Sequence, residues 1–208
     1  MRYRVKICGL TDPRQAAAAA EAGADAIGLV FHPRSRRAVS VEQGAAIAAA
    51  LPPFVSVVGL FVDPAPEEVE RVLRGCSLDL LQFHGREEAR FCERFGLRYL
   101  KAIAMGDATD PRREMEAHPA ARGFLLDSHA GGKMGGSGER FDWGRIPGPL
   151  DRPWLLAGGL DPGNVAGALA VTRPFGVDVS SGVEAAPGQK DPRLVREFVN
   201  MVRQVERE

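Results

Sequence analysis

A cysteine and an aspartate lie where two predicted β-strands end. Cys8 ends an apolar run that begins at Tyr3, and Asp127 ends a second run that begins at Gly123. A thiolate near a lysine, here Lys6, is able to act as a base or a nucleophile. A carboxyl group partly enclosed by a loop is able to keep a proton and act as a general acid. Together the two residues would supply an acid and a base.

Each of these residues also has a common structural explanation. A lone cysteine is most often a small core hydrophobe, and we keep that interpretation for Cys76 and Cys92. An aspartate after a strand often only forms a turn or caps a helix. No helical pattern follows Asp127 directly, because the segment Ser128–Gly138 is rich in glycine and is typical of a mobile loop. Capping therefore explains Asp127 less well than a chemical role does.

Two glycine-containing segments follow the last two predicted strands. In barrels of alternating strands and helices, the loops at these places commonly hold a phosphate through backbone amides that glycine lets approach closely. Paired glycines alone also occur in any tight turn, but two such segments one strand–helix unit apart favour a phosphate site. The predicted phosphate-binding residues are Gly158, Gly159, Ser180, Ser181 and Gly182.

A cluster of arginines follows the second predicted strand. Arg34, Arg36 and Arg37 lie within seven residues of His32. A charge run of this kind is usually a solvated loop, but a guanidinium at the rim of a barrel is also able to pair with a substrate carboxylate. His32 and His84 lie on strand-end loops without a partner at metal-ligand spacing, so the sequence predicts no metal site.

Short apolar runs alternate with helical stretches along the whole chain. Most of these runs are apolar at successive positions, as expected for parallel strands that are covered on both faces. The eight predicted strands are Tyr3–Cys8, Ala26–Phe31, Val55–Val62, Leu78–Phe83, Tyr99–Ile103, Gly123–Asp127, Trp154–Ala157 and Gly176–Ser180. The predicted helices are Arg14–Ala22, Val41–Leu51, Pro66–Arg74, Arg86–Phe95, Pro111–Ala117, Pro162–Val171 and Pro192–Arg207.

Eight such units in 208 residues give about 26 residues per unit, close to the lower size limit of a (β/α)8 TIM barrel. An open doubly wound sheet is the second possibility, but it needs a phosphate-binding fingerprint after an early strand, and here the glycine-rich segments come late. Four predicted helices begin with an aspartate followed by proline, which is a strong helix-start signal. Those aspartates are Asp12, Asp110, Asp161 and Asp191.

Composition narrows the class of protein further. The chain suits one domain over residues 1–208, and its 27 basic and 27 acidic residues cancel, so no global field favours nucleic acid or an anionic membrane. No apolar stretch approaches the roughly 18 residues of a membrane span. Three widely spaced cysteines indicate neither a disulfide framework nor a zinc site. We therefore expect a cytoplasmic protein.

Taken together, these residues resemble the phosphoribosylanthranilate isomerase family, a barrel enzyme of tryptophan synthesis, over the full length of the chain. No single segment is decisive, but their order and positions are specific. The matching segments are Lys6–Thr11, Leu81–Gly85, Leu125–Ser128, Gly135–Gly138, Phe141–Trp143, Leu156–Leu160 and Gly176–Glu184.

The resemblance implies an Amadori rearrangement without a cofactor. N-(5'-phosphoribosyl)anthranilate would be converted to 1-(2-carboxyphenylamino)-1-deoxyribulose 5-phosphate. The residue matching the family's general base is Cys8, and the residue matching its general acid is Asp127. The implied partner is thus a small phosphorylated substrate, and the protein would be a monomer or a homodimer.

The resemblance also assigns substrate contacts. An arginine in a Ser-Pro-Arg segment of the family contacts anthranilate, and Arg37 matches it, but Arg36 replaces the proline. Loss of the fixed proline φ leaves open whether Arg36 or Arg37 faces the ring. Asp178 matches a polar active-site position and would orient the sugar hydroxyls.

Two other functions fit parts of this pattern. A sugar-phosphate-binding barrel without activity would need the phosphate loops but neither Cys8 nor Asp127. An isomerase for an aminoaldose of the histidine pathway would be expected to use two aspartates, and Cys8 stands where the first of them would be.

Overall fold

The computed structural model describes residues 2–106, 110–128 and 141–207. Eight parallel strands form a closed barrel in chain order, in which the first strand pairs with both the second and the eighth. The strands are β1 Arg4–Cys8, β2 Ala26–Val30, β3 Ser56–Phe61, β4 Leu80–Phe83, β5 Tyr99–Ala104, β6 Gly123–Asp127, β7 Trp154–Leu156 and β8 Gly176–Val179. The predicted (β/α)8 barrel is confirmed, and closure of the sheet excludes the open doubly wound alternative.

Helices surround the barrel. They are α1 Pro13–Glu21, α2 Val41–Ala49, α3 Pro66–Gly75, α4 Ala89–Glu93, α5 Pro111–Glu116, α6 Val165–Thr172 and α7 Pro192–Val205. Short 3-10 helices cover Trp143–Arg145 and Ser181–Val183, and a small antiparallel hairpin after β8 consists of β9 Glu184–Ala186 and β10 Gln189–Lys190. Among the described residues, no helix is long and apolar enough to cross a membrane.

Alternation along each strand divides the buried side chains into two layers. In β1, Val5 and Ile7 are fully buried and pack in the large cluster that includes helix residues such as Phe198. Lys6 and Cys8 point to the opposite side, into the barrel. Both faces of the strand are thus covered, which explains the continuous apolar character of the strand sequences.

Aspartate caps start three helices where the sequence predicts them. The Asp12 carboxylate accepts hydrogen bonds from the amides of Arg14 and Gln15, at 2.8 and 3.3 Å. Asp110 and Asp191 cap α5 and α7 in the same manner. Each cap satisfies backbone amides that have no partner within the helix.

The predicted start of the sixth helix at Asp161-Pro162 is wrong, since α6 begins at Val165. The side chain of Asn164 explains the difference. Its oxygen accepts from the amide of Asp161 at 3.1 Å, and its nitrogen donates to the carbonyl of Gly159 at 2.8 Å. These bonds fold residues 162–164 into a turn against the loop after β7 and delay the helix.

The fourth helix is shorter than predicted, because it begins at Ala89 instead of Arg86. The amide of Arg86 donates to Asp63 at 2.6 Å, and the amide of Gly85 donates to the Glu87 carboxylate at 3.0 Å. These bonds hold residues 85–87 against Asp63 and the side chain of Glu87, and the helix begins only after them.

Candidate active site

Cys8 ends β1 on the inside of the barrel and is 6% exposed. Its strand neighbour is Gly28, and a Cβ at that position would lie 2.7 Å from the Cys8 sulfur and 3.1 Å from Nζ of Lys6. Gly28 thus leaves the space in which the thiol and the ammonium meet. The importance of Gly28 depends on the register between two strands, which the sequence pattern does not reveal.

Charged groups act on the Cys8 thiol in opposite directions. Burial raises the pKa of Cys8, whereas the Lys6 ammonium lowers it; Asp178 raises it and Lys190 lowers it. The net effect is a pKa above the ordinary thiol value, so the thiol form predominates near neutral pH. The two lysines are the groups that stabilise a thiolate when one forms.

A buried ion pair lies beside the thiol. Nζ of Lys6 is 2.8 Å from Oδ1 of Asp178, and the two side chains are only 2% and 9% exposed. Burial by itself disfavours the ammonium, but Asp178 and Cys8 outweigh it and raise the pKa of Lys6. Asp178 therefore faces the same interior space as Cys8, as expected for a strand neighbour of Lys6.

Asp127 ends β6 and is 8% exposed. Its Oδ2 atom lies 3.2 Å from Nε2 of His84, and the hydroxyl of Ser128 donates to its Oδ1 at 3.4 Å. His84 follows β4 and contacts Gln82 through Nδ1 at 3.2 Å. The sequence does not predict the contact between His84 and Asp127, because the two residues follow strands that are not neighbours along the chain.

Asp178 connects the two predicted proton-transfer residues. Its carboxylate interacts electrostatically with Cys8 and also with Asp127 and His84. Cys8 and Asp127 end parallel strands of one closed barrel, so both lie at the carboxyl ends of the strands although they are far apart in sequence. The interaction of Asp178 with both residues fits the role implied for it in orienting sugar hydroxyls.

Arg37 and Arg36 have different surroundings. Arg36 is exposed, whereas the Arg37 side chain is 12% exposed and turns inward over Gly9, where any Cβ would clash with Cδ of Arg37. Nε and Nη2 of Arg37 each donate to the Glu184 carboxylate at 2.7 Å. This geometry favours Arg37 over Arg36 as the rim arginine that reaches the site.

The two predicted phosphate loops lie against each other. Gly158 and Gly159 have φ of +83° and +64°, which favours glycine, and a Cβ on Gly182 would collide with the carbonyl oxygen of Leu160. Within the described ranges, the amides of Gly158, Gly159, Ser181 and Gly182 donate no hydrogen bond to another residue. Free amides grouped at converging loops are suited to an anion.

Ser180 occupies a different place from the neighbouring loop amides. Its hydroxyl donates to the carbonyl oxygen of Cys8 at 3.0 Å, and Nζ of Lys190 donates to its hydroxyl and carbonyl at 3.2 and 3.0 Å. Ser180 therefore joins the phosphate loop to the end of β1. Glu184 and Lys190 complete this arrangement. Glu184 ends the matching segment Gly176–Glu184, but neither residue was given a role, because their contacts with Arg37 and Ser180 arise only in the folded barrel.

The predicted matching segment Gly135–Gly138 and most of the predicted loop Ser128–Gly138 lie outside the described residues. In the part of the chain that is described, no group of three or more His, Cys, Asp or Glu side chains is arranged to hold a metal ion.

Comparison with known proteins identifies the barrel. A family model described as N-(5'phosphoribosyl)anthranilate (PRA) isomerase matches residues 5–201. This chain belongs to the phosphoribosylanthranilate isomerase family. An N-(5'-phosphoribosyl)anthranilate isomerase from Halorhodospira halophila is 54% identical over 199 residues, which are 96% of each chain.

Solved structures of the family agree with this membership. The phosphoribosyl anthranilate isomerase of Thermotoga maritima is 40% identical, with a TM-score of 0.85 over 97% of this chain and 99% of its own. A second family structure, 38% identical with a TM-score of 0.79 over the same shares, is a complex with reduced 1-(o-carboxyphenylamino)-1-deoxyribulose 5-phosphate. The resemblance drawn from the sequence is confirmed.

Proposed function

We propose that this chain catalyses the isomerisation of N-(5'-phosphoribosyl)anthranilate to 1-(2-carboxyphenylamino)-1-deoxyribulose 5-phosphate, with Cys8 as general base and Asp127 as general acid. One observation carries this assignment. The two residues end β1 and β6, at the carboxyl ends of the strands, and the carboxylate of Asp178 interacts with both. Membership of the family supplies the reaction, and this placement supplies residues able to perform it.

Asp127 begins the reaction in this proposal. Its carboxylic acid donates a proton to the ribose ring oxygen, the bond from that oxygen to C1 breaks, and nitrogen lone-pair electrons form an iminium. His84 and Ser128, which contact the two carboxyl oxygens, hold the acid in place. General acid catalysis of this kind contributes about 10²- to 10⁴-fold.

Cys8 performs the second step as a thiolate. It removes the proton from C2, and the electrons of that bond form the enolamine while the iminium nitrogen becomes neutral. The enolamine then takes up a proton at C1 and releases the hydroxyl proton from the oxygen at C2, which gives the ketone. Lys6 and Lys190 favour the thiolate electrostatically, so the base becomes available although burial opposes its charge.

Binding groups surround the reacting carbons. The phosphate would rest on the amides of Gly158, Gly159, Ser181 and Gly182, close to Ser180. Arg37 would bind the anthranilate carboxylate, with Arg36 left at the solvent side. Asp178 would accept hydrogen bonds from sugar hydroxyls. No cofactor is needed, since both proton transfers use side chains of the chain itself.

Domain organisation, location, oligomeric state and partners complete the proposed function. We propose one (β/α)8 domain over residues 1–208 that acts in the cytoplasm as a monomer or homodimer on a small phosphorylated substrate, without nucleic acid or membrane partners. Sedimentation of the purified protein measures the oligomeric state directly.

A fluorescence assay tests the function. Disappearance of freshly prepared phosphoribosylanthranilate is followed for the intact protein and for Cys8→Ala and Asp127→Ala. We expect turnover by the intact protein and a loss of at least about 100-fold in kcat for each variant, with KM little changed. Absence of turnover by the intact protein would refute the proposed reaction, and near-native rates in both variants would refute the acid and base assignment.

A further inference from the structure

Glu184 forms a bidentate ion pair with Arg37. Its two carboxylate oxygens each accept one hydrogen bond at 2.7 Å, from Nε and Nη2 of the guanidinium. The side chains are 5% and 12% exposed. A bidentate pair of this geometry fixes the plane of the guanidinium as well as its position.

Lys190 holds Glu184 from the opposite side. Its side chain is 1% exposed, and Nζ donates to Oε1 of Glu184 at 2.7 Å. The same ammonium donates to the carbonyl and hydroxyl oxygens of Ser180. The β9–β10 hairpin, which carries both Glu184 and Lys190, therefore connects the arginine loop after β2 to the turn after β8.

The charge of Glu184 is stabilised by both of its cationic neighbours. Burial alone would raise the pKa of Glu184, but hydrogen bonds from Arg37 and Lys190 outweigh it and hold the pKa below the usual value. The Glu184 carboxylate is therefore held between two cations, Arg37 and Lys190, which both donate hydrogen bonds to it.

We propose that Glu184 is a positioning residue that determines selectivity for the anthranilate carboxylate, because it fixes the guanidinium plane of Arg37 while Lys190 anchors Glu184 to Ser180. This inference rests on the proposed function. Without Glu184, Arg37 would have to lose side-chain rotamer freedom each time the substrate binds.

Glu184→Gln tests this role, because the amide keeps the size of the carboxylate but places a donor against two cations. Binding is measured for two probes: the reduced product analogue, and the matching phenylamino compound that lacks the carboxylate. We expect Glu184→Gln to weaken binding of the first probe about 10- to 100-fold relative to the second. In turnover, KM rises while kcat stays within about threefold.

Several controls separate positioning from folding and from the proposed reaction. Glu67→Gln makes the same chemical change at an exposed position of α3 and should behave as the wild type. In an Arg37→Met background, Glu184→Gln should cause no further loss of carboxylate selectivity, since the residue it positions is gone.

Two outcomes would overturn the inference while leaving the reaction intact. One is a wild-type ratio of affinities for the two probes in Glu184→Gln, and the other is an equal loss for both probes together with a lower melting temperature. By contrast, a wild-type protein that does not consume phosphoribosylanthranilate would refute the proposed function itself.

Discussion

Nε2 of His84 lies 3.2 Å from Oδ2 of Asp127, and Nδ1 of the same ring lies 3.2 Å from the amide nitrogen of Gln82. With Gln82 donating to Nδ1, the imidazole carries its hydrogen on Nε2 and donates it to the carboxylate. Gln82 is fully buried, and its Oε1 has no hydrogen-bond partner among the described residues. The acid is thus oriented by a histidine whose own ring is oriented from the barrel core.

We predict that His84→Asn lowers kcat about 10- to 100-fold and leaves KM within about twofold, because the acid loses its orientation and not its substrate contacts. Steady-state kinetics measure both constants. In an Asp127→Asn background, the same change should lower kcat no further. Losses that multiply in the double variant would show that His84 acts independently of Asp127.

The raised pKa of Cys8 predicts the pH dependence. Burial keeps the thiol protonated, so in the proposed mechanism only the fraction of enzyme with its proton on Asp127 and not on Cys8 is active. We expect kcat/KM to form a plateau that declines on the alkaline side as the thiol ionises, above the ordinary thiol value of about 8.5.

The rate of alkylation of Cys8 against pH checks this assignment. Alkylation and the alkaline decline should titrate together, and Cys8→Ala provides the background from Cys76 and Cys92. A thiol that is already fully ionised at about pH 7 would contradict the prediction.

Sequence patterns were sufficient for the strands and for residues whose chemistry is local. Cys8 and Asp127 end strands as predicted, because each ends an apolar run, and the bounds predicted for Gly123–Asp127 are those of β6. Gly28, Glu184 and Lys190 were missed because their contacts depend on tertiary register: Glu184 lies 147 residues from Arg37 in sequence. The predicted start of α6 was wrong because the Asn164 side chain bonds the Asp161 amide and the Gly159 carbonyl and so favours a turn before the helix.

Substitution of glycine by alanine should have opposite effects at two positions, Gly182 and Gly167. Gly182→Ala should raise KM at least about tenfold and lower the melting temperature, because its Cβ would collide with the Leu160 carbonyl and separate the phosphate loops. Gly167→Ala in α6 meets no atom within 4 Å and should stabilise the protein by about 0.5–1 kcal/mol. Calorimetry and KM measurements test both, and an unchanged KM in Gly182→Ala would argue against the phosphate site.

Because His118 is buried, we expect the folded protein to become less stable in acid. Burial, with smaller contributions from Lys101 and Arg152, lowers the pKa of His118 to about 4. The unfolded chain binds this proton near pH 6.5, so the free energy of unfolding falls as pH drops from about 6.5 to 4, by about 2 kcal/mol at pH 5. Urea unfolding of the wild type and His118→Gln between pH 7 and 5 measures it. Equal pH slopes in the two proteins would contradict the prediction.

Closure of the barrel between β1 and β8 has a consequence for biosynthesis. The pairing of Lys6 with Asp178 joins the first strand to the last, across 172 residues. In the proposed mechanism a nascent chain carries the base Cys8 and its neighbour Lys6 from the start, but Asp178 joins them only once the eighth strand has been made. We therefore expect catalytic competence to arise late in synthesis, and a truncated barrel that lacks β8 to be inactive.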